Sequence, residues 1–141
     1  MTSEAILQPM LAMMVLSAVV WLWLYARRLP AMRKVGESPQ AYTTPDKGAG
    51  LLPEAVSYPA HNFWNLFELP VLFYALCLYI FVTGSADRPD VIAAWAFVAF
   101  RAVHSIIHST VNIVMARFLA YLLATLALWF MLGRAVVNAW F

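Results

Sequence analysis

Four long apolar segments, separated by polar stretches, divide the sequence. They cover residues 5–26, 61–84, 91–115 and 118–140. As an α-helix, each is long enough to cross a hydrocarbon core of about 30 Å. The pattern predicts an all-α membrane protein whose single domain, residues 1–141, is a bundle of four transmembrane helices in contact with a lipid bilayer.

Composition supports this class of protein. Hydrophobic residues make up 64% of the chain and charged residues 11%, whereas soluble domains are about half apolar and about a quarter charged. The net charge is only +2, and Lys and Arg lie largely between apolar segments, so we expect no nucleic-acid partner. A single cysteine, Cys77, rules out an intrachain disulfide.

The distribution of basic residues predicts the orientation. Basic residues concentrate in the first connection and recur in the third at Arg117, whereas the second holds only Arg88 beside two aspartates. By the positive-inside rule, connections one and three are cytoplasmic and both termini lie outside. The first segment has no cleavage site and is expected to stay as an uncleaved anchor. The basic residues of the first connection are Arg27, Arg28, Arg33, Lys34 and Lys47.

Prolines and glycines mark the expected interruptions. The connection over residues 36–60 is rich in both, which does not favour a regular helix; it is either a plain loop or a lid over a site. Pro30 is expected to kink or end the first helix, and Pro70 to kink the second just beyond Glu68.

Polar residues form a stripe along the third segment. Arg101, His104, His108 and Asn112 fall at i, i+3, i+7 and i+11, within a stripe roughly 80° wide on a helix. Such a polar stripe in a membrane helix usually faces a bundle interior or a watery cavity. A tight connection to the fourth segment is expected at residues 115–117.

The predicted topology brings further polar residues to the same depth. His61, Asn65 and Glu68 share one face at the start of the second segment, and Arg117 and Tyr121 begin the fourth. With the third segment ending inside, all of these groups lie in the cytoplasmic half of the bundle. We therefore expect a polar chamber that opens toward the cytoplasm.

Several chemical interpretations of this chamber remain open. Glu68 and Arg101 are candidates for a buried ion pair, either functional or only joining two helices. Asn65 and Asn112 are candidates for interhelical hydrogen bonding. His104 and His108 have a spacing that suits two ligands of one metal, but no acid flanks them. Neutral histidines that contact Arg101 or a ligand are favoured, and no metal is expected.

Arg117 is the most suggestive single residue, since it heads a membrane helix and stays charged. It is either a topological anchor or a group that binds an anion or stabilises a thiolate. Cationic neighbours lower the pKa of a thiol and so raise its nucleophilic fraction.

The motif R-x-x-H-x-x-x-H, followed by Arg117-x-x-x-Tyr121, resembles the MAPEG family, the membrane-associated proteins of eicosanoid and glutathione metabolism. The resemblance is to its microsomal glutathione transferase and prostaglandin E synthase branch. It implies a homotrimer of four-helix subunits that binds glutathione between subunits on the cytoplasmic side. Arg117 would be the catalytic residue that stabilises the thiolate, and Tyr121, Arg101 and His104 would bind glutathione. His108 stands where members often carry Tyr.

The second segment matches the family pattern R-A-H-x-N-x-x-E in part. Asn65 and Glu68 are kept as expected glutathione contacts, whereas His61 replaces the Arg and Phe63 the motif His. The family also has a basic residue in the first helix that contributes to a neighbouring subunit's site. The candidates for it are Arg27, Arg28 and Arg33.

Two function classes follow from the resemblance. The first is a glutathione-dependent transferase or peroxidase that acts on a lipophilic small molecule, with glutathione as co-substrate. The second is a non-catalytic scaffold or lipid-binding protein, as the five-lipoxygenase-activating protein of this family is. In either case we expect a multi-pass protein of a bacterial inner membrane.

Overall fold

A computed structural model describes residues 3–44, 47–48 and 50–140. Four helical segments are long and apolar enough to cross a membrane, Ser3–Val35, Glu54–Val82, Arg88–Ser109 and Val114–Trp140, and the described residues contain no strand. The predicted all-α membrane fold is confirmed. The helices are α1 (Leu7–Val35), α2 (Glu54–Asn65), α3 (Leu69–Val82), α4 (Arg88–Ser109) and α5 (Val114–Trp140), with short 3-10 turns at Ser3–Ile6 and Pro39–Tyr42.

Apolar side chains from every membrane-length segment form the core. Its members include Met13 of α1, Phe73 of α3, Phe97 of α4 and Leu128 of α5, all fully buried. Phe73 and Phe97 stack with ring centroids 4.3 Å apart. Helices α4 and α5 pack most extensively, as an antiparallel hairpin. Many large apolar side chains remain exposed around the bundle, as expected of a surface that faces lipid.

The second segment is broken into two helices rather than kinked. Helix α2 ends at Asn65 and α3 begins at Leu69, so the break lies just before Pro70 and slightly before the predicted position. Proline has no N–H with which to continue the hydrogen-bond ladder, and its ring disfavours helical geometry in the preceding residue. The break frees main-chain groups beside the polar residues Asn65 and Glu68.

The two helices that flank the first connection are longer than predicted. Helix α1 passes through the exposed Pro30 and ends at Val35, where Gly36 adopts φ 74°. Helix α2 begins at Glu54 with Pro53 as its N-cap residue, so the expectation of no regular helix over residues 36–60 was wrong for its last part. Proline suits the start of a helix, because the N–H group that it lacks would have no partner within the helix there.

The connection between the third and fourth segments also differs from the prediction. Helix α4 ends at Ser109, not at residue 115, and α5 begins at Val114. The turn between them depends on Asn112, which has φ 50° and donates its main-chain N–H to the Ile107 carbonyl at 2.8 Å. Asn tolerates this left-handed conformation better than most residues. Asn112 is therefore a turn residue and not part of the helical stripe.

An ionic cluster closes the other end of the α4–α5 hairpin. The Asp87 side chain caps α4 by accepting from the Asp90 main-chain N–H at 3.2 Å. Arg134 of α5 donates from Nε to Asp90 Oδ1 at 2.8 Å and also pairs with Asp87 through Nη2. These three residues, the outer cluster, tie the two helices together at the end of the hairpin opposite its turn.

Candidate functional site

A polar cluster forms where α2, α4 and α5 meet. Its centre is Arg101, which is fully buried. Nη2 of Arg101 donates to the main-chain carbonyl of Asn65 at 2.9 Å, and its Cζ lies 5.7 Å from the ring centroid of Tyr121. The structure thus brings together residues from three helices that the sequence predicted to share one depth.

The break between α2 and α3 explains why Asn65 can accept this bond. In a continuous helix the Asn65 carbonyl would bond to the N–H of Leu69. Because the helix unwinds at Leu66–Glu68, that carbonyl is free for a side chain. A main-chain oxygen, rather than a carboxylate, is the hydrogen-bond partner of the buried guanidinium.

Arg101 is under-satisfied by the rest of the described chain. Its Nε and Nη1 atoms are buried and have no hydrogen-bond partner, and neither has the buried Oδ1 of Asn65. Burying polar groups without partners costs free energy, and each exception calls for an explanation. The orphaned atoms comprise cationic donors and one amide acceptor in the same cluster.

The predicted buried pair of Glu68 with Arg101 was wrong. Glu68 is exposed, and its Oε2 accepts from Nδ2 of Asn65 at 2.8 Å. The ion pairs found among residues 3–44, 47–48 and 50–140 belong to the outer cluster. The helix break places Glu68 outside the helical face that it would share with Asn65. The Asn65 side chain is correspondingly local, bonding three residues on instead of to another helix.

His104 and His108 connect α4 to the start of α5. Nδ1 of His104 lies 2.8 Å from the Arg117 carbonyl oxygen, and Nδ1 of His108 lies 3.4 Å from Nε2 of His104. The two rings are nearly perpendicular, at 86°. Tyr121, one turn beyond Arg117, has its ring centroid 5.9 Å from that of His104.

Arg117 lies one turn inside α5 rather than in the connection. Its Nη1 donates to Oδ1 of Asn112, so the guanidinium turns back over the α4–α5 turn. The predicted role of Asn112 as interhelical glue is replaced by this contact within the hairpin. Arg117 is partly exposed and lies at the end of the cluster.

Asn62 is a buried residue of this region that sequence analysis missed. It donates from Nδ2 to Ser109 Oγ at 3.1 Å and to the Ser105 carbonyl at 3.4 Å. Its Oδ1 accepts from Ser105 Oγ at 3.2 Å. Two features of the sequence could have indicated its role. The two serines have i, i+4 spacing beside the histidines, and Asn62 lies three residues before Asn65. This network locks α2 against α4 and so holds the Asn65 carbonyl near Arg101.

His61 and Arg28 make no hydrogen bond to the cluster among the described residues. His61 is exposed, and its ring is tilted by 39° against that of Trp64, with ring centroids 5.7 Å apart. Arg28 lines a cavity of about 170 Å³ together with Tyr42, His61 and Trp64. Within the described part of the chain, no three residues among His, Cys, Asp and Glu are grouped as metal ligands would be.

Four membrane-length helices with a buried polar cluster at one end define a polytopic helical membrane protein. A family model matches almost all of it: the MAPEG family model covers residues 6–137. The chain therefore belongs to the MAPEG family, whose members include glutathione transferases and proteins of other functions. Comparisons with curated proteins and with solved structures find no match.

The cluster fits the chemistry of glutathione. Glutathione carries two carboxylates, amide N–H groups and an ammonium, and it needs cationic donors together with oxygen acceptors. The unpartnered Nε and Nη1 of Arg101 are donors suited to a carboxylate, and Asn65 Oδ1 is an acceptor suited to an N–H group. The exposed Glu68 carboxylate beside Asn65 is suited to an ammonium.

Proposed function

We propose that this protein is a membrane-bound glutathione-dependent transferase or peroxidase that acts on lipophilic electrophiles. The observation that carries the proposal is the buried Arg101, whose two unpartnered nitrogens lie in a cluster with the unpartnered Oδ1 of Asn65. A buried cation without an anionic partner is costly in a membrane helix, and an anionic co-substrate would provide that partner.

Each cluster residue has a role in this proposal. Asn65, Glu68, Arg101, His104, His108 and Tyr121 bind glutathione. Arg117 stabilises the thiolate, because a guanidinium held near sulfur favours the charged form. Membrane partitioning concentrates the apolar second substrate, and binding both reactants in one orientation lowers the entropic part of the barrier. The thiolate sulfur then bonds to the electrophilic carbon, the leaving group departs with its bonding pair, and a thioether is formed.

The proposal includes an assembly and an orientation. Glutathione binds between subunits of a homotrimer, which supplies the groups that one subunit lacks. The cluster faces the cytoplasm and both termini lie outside, in a bacterial inner membrane. Support comes from the basic residues near the end of α1, Arg27, Arg28, Arg33 and Lys34, which lie at the same end of the bundle as the cluster.

Turnover of glutathione with 1-chloro-2,4-dinitrobenzene tests the activity. The purified protein in detergent should form the thioether, and Arg117→Ala should reduce kcat by about 100-fold, as loss of one electrostatic stabiliser does elsewhere. Lys34→Ala removes an exposed cation at the end of α1 and serves as the control, with unchanged turnover expected.

Native mass spectrometry should show a trimer, and a clean monomer would contradict the intersubunit site.

A second candidate is a non-catalytic scaffold or lipid-binding protein with the same fold. The substitutions favour it in the second segment, where His61 and Phe63 stand in place of the family's Arg and His. The exposed position of His61 and its contact with Trp64 are consistent with that reading. Isothermal calorimetry that finds neither glutathione binding nor turnover would favour this candidate over the enzyme.

A further inference from the structure

The two buried histidines form a hydrogen-bonded chain whose proton positions follow from its partners. At one end, Nδ1 of His104 faces the carbonyl oxygen of Arg117 at 2.8 Å. A carbonyl only accepts hydrogen bonds, so His104 must carry its proton on Nδ1. In a neutral imidazole, Nε2 of His104 is then an acceptor.

The next link fixes the tautomer of His108. Its Nδ1 lies 3.4 Å from Nε2 of His104. Since Nε2 of His104 is the acceptor, Nδ1 of His108 must donate and carry the proton. In the neutral ring, Nε2 of His108 is left as an unprotonated nitrogen with a free lone pair.

Both rings are assigned as neutral because of what surrounds them. The charged and titratable groups near His108 are His104 and Arg101 on α4, Arg117 on α5 and His61 on α2, all of them bases. In residues 3–44, 47–48 and 50–140, no carboxylate bonds to either ring. A further buried cation beside two guanidinium groups would be costly.

The free nitrogen of His108 retains some access to solvent. It is not among the fully buried polar atoms that lack a partner. His108 is the second-last residue of α4, and the turn after it carries Asn112, to which Arg117 donates. A free base and a fixed cation thus lie at the same end of the cluster.

We propose that His108 is the general base of the thiol-transfer reaction and that His104 is the residue that positions it. This inference rests on the proposed function. Nε2 of His108 accepts the proton of the glutathione thiol as the S–H bond breaks, and its electron pair stays on sulfur beside Arg117. With 1-chloro-2,4-dinitrobenzene as the electrophile, the sulfur forms a bond to the ring carbon and chloride leaves with its bonding pair. The proton then passes from His108 to water.

The bond to His104 offsets part of the cost of protonating His108 during the reaction. An imidazolium at this position still donates its Nδ1–H to Nε2 of His104, now as a charge-assisted hydrogen bond. His104 in turn stays fixed by its own bond to the Arg117 carbonyl. The neutral His104 ring and the Arg117 carbonyl therefore orient the base. In other sites with an activated nucleophile, a further residue orients the base in the same way.

Nitrogen-15 NMR of histidine-labelled protein tests the tautomers without any substrate. The chain contains only three histidines, so His61→Gln, His104→Gln and His108→Gln assign every signal. At pH 7.5, we expect His104 and His108 each to show a protonated Nδ1 and a bare Nε2. A proton on Nε2 of His108 would overturn the inference, whatever the enzyme activity.

The pH dependence of turnover tests the catalytic role. His108→Gln keeps an amide that can donate to His104 but removes the base, and kcat/KM should fall about 100-fold at pH 7. As the pH rises toward the pKa of the thiol, kcat/KM of the variant should increase about tenfold per pH unit, whereas kcat/KM of the wild type should level off. Because Gln preserves the donated bond, an unchanged pH profile in this variant would overturn the general-base role.

The controls separate this inference from the proposed function. Thr125→Ala removes a hydroxyl that bonds only to its own helix, at the Tyr121 carbonyl, and should retain both rate and profile. If the wild type turns over glutathione but His108→Gln keeps its profile, the general-base role fails and the proposed function stands. If the wild type neither binds nor turns over glutathione, both fail.

Discussion

The α4–α5 hairpin holds a partly or fully buried arginine in each half, and their surroundings are opposite. In the outer cluster, Arg134 reaches two carboxylates, those of Asp87 and Asp90. At the other end, near the α4–α5 turn, Arg101 is fully buried and bonds to one main-chain carbonyl, with two nitrogens lacking partners. The same side chain thus has its charge compensated at one end of the molecule and not at the other.

The difference separates a structural role from a functional one. A guanidinium whose nitrogens meet carboxylates is explained by the contacts that it makes. A buried guanidinium without such partners has no compensation within the described chain for its loss of hydration. We therefore expect Arg101 to bind a ligand, and the following predictions test this contrast.

The largest effect on stability is expected at the outer cluster. Arg134→Met leaves the carboxylate of Asp90, whose side chain is 3% exposed, without its cation. Removing one partner of a buried pair costs about 3 kcal/mol, so the free energy of unfolding in mixed micelles should fall by that amount. Circular dichroism during titration with sodium dodecyl sulfate measures it.

Arg88→Met is the matched control, because Arg88 is exposed in the first turn of α4. Substitutions of that kind usually change stability by less than about 0.5 kcal/mol. Equal losses for Arg134→Met and Arg88→Met would break the contrast, since the outer cluster would then contribute nothing specific.

The opposite sign is expected for Arg101→Met. This change removes buried donors that have no partners, whose cost is about 1–3 kcal/mol, and Met occupies a similar volume. The unfolding free energy in the absence of glutathione should therefore stay the same or rise by about 1 kcal/mol. The same titration measures it, and a loss of about 3 kcal/mol would show that Arg101 is structural.

Stabilisation by bound glutathione gives a second test of the role of Arg101. A ligand that binds only the folded state stabilises it by about 2.7 kcal/mol at a concentration 100 times its Kd. The wild-type protein should show this gain, and Arg101→Met should lose most of it. Arg134→Met should keep the gain despite its lower starting stability, because the outer cluster lies at the other end of the hairpin.

A smaller effect is expected from the network that supports the cluster. Asn62→Ala removes the bonds to Ser105 and Ser109, and interhelical hydrogen bonds in membrane proteins average about 0.6 kcal/mol. We expect a loss of about 1 kcal/mol, since two hydroxyls lose a partner. Asn138→Ala, at an exposed position of α5, should change nothing, and additivity of Asn62→Ala with Ser109→Ala would contradict the network.

Local patterns predicted the fold better than the site. Apolar length alone specified four spans, because a membrane helix must satisfy its backbone internally. The broken second segment changed the site, since it turned Glu68 away and freed the carbonyl of Asn65 for Arg101. The partners of Arg101 depend on where a helix unwinds between Asn65 and Pro70, and helical periodicity assumes that it does not. The turn at Asn112 displaced that residue from the stripe for the same reason.

The smallest effect concerns pH at the outer cluster. Asp87 lies in the turn before α4, where hydrogen bonding with Asp90 and the nearby Arg134 guanidinium hold its pKa below the usual range. A carboxyl whose pKa is lowered on folding stabilises the protein above its unfolded pKa of about 3.9, and this contribution is lost as pH falls through the folded value. Unfolding midpoints should therefore decrease from pH 5 to pH 3 in the wild type, and Asp87→Asn should flatten part of that decrease. Glu37→Gln, at an exposed site in the first connection, is the control, and the same slope in Asp87→Asn as in the wild type would show that Asp90 alone holds Arg134.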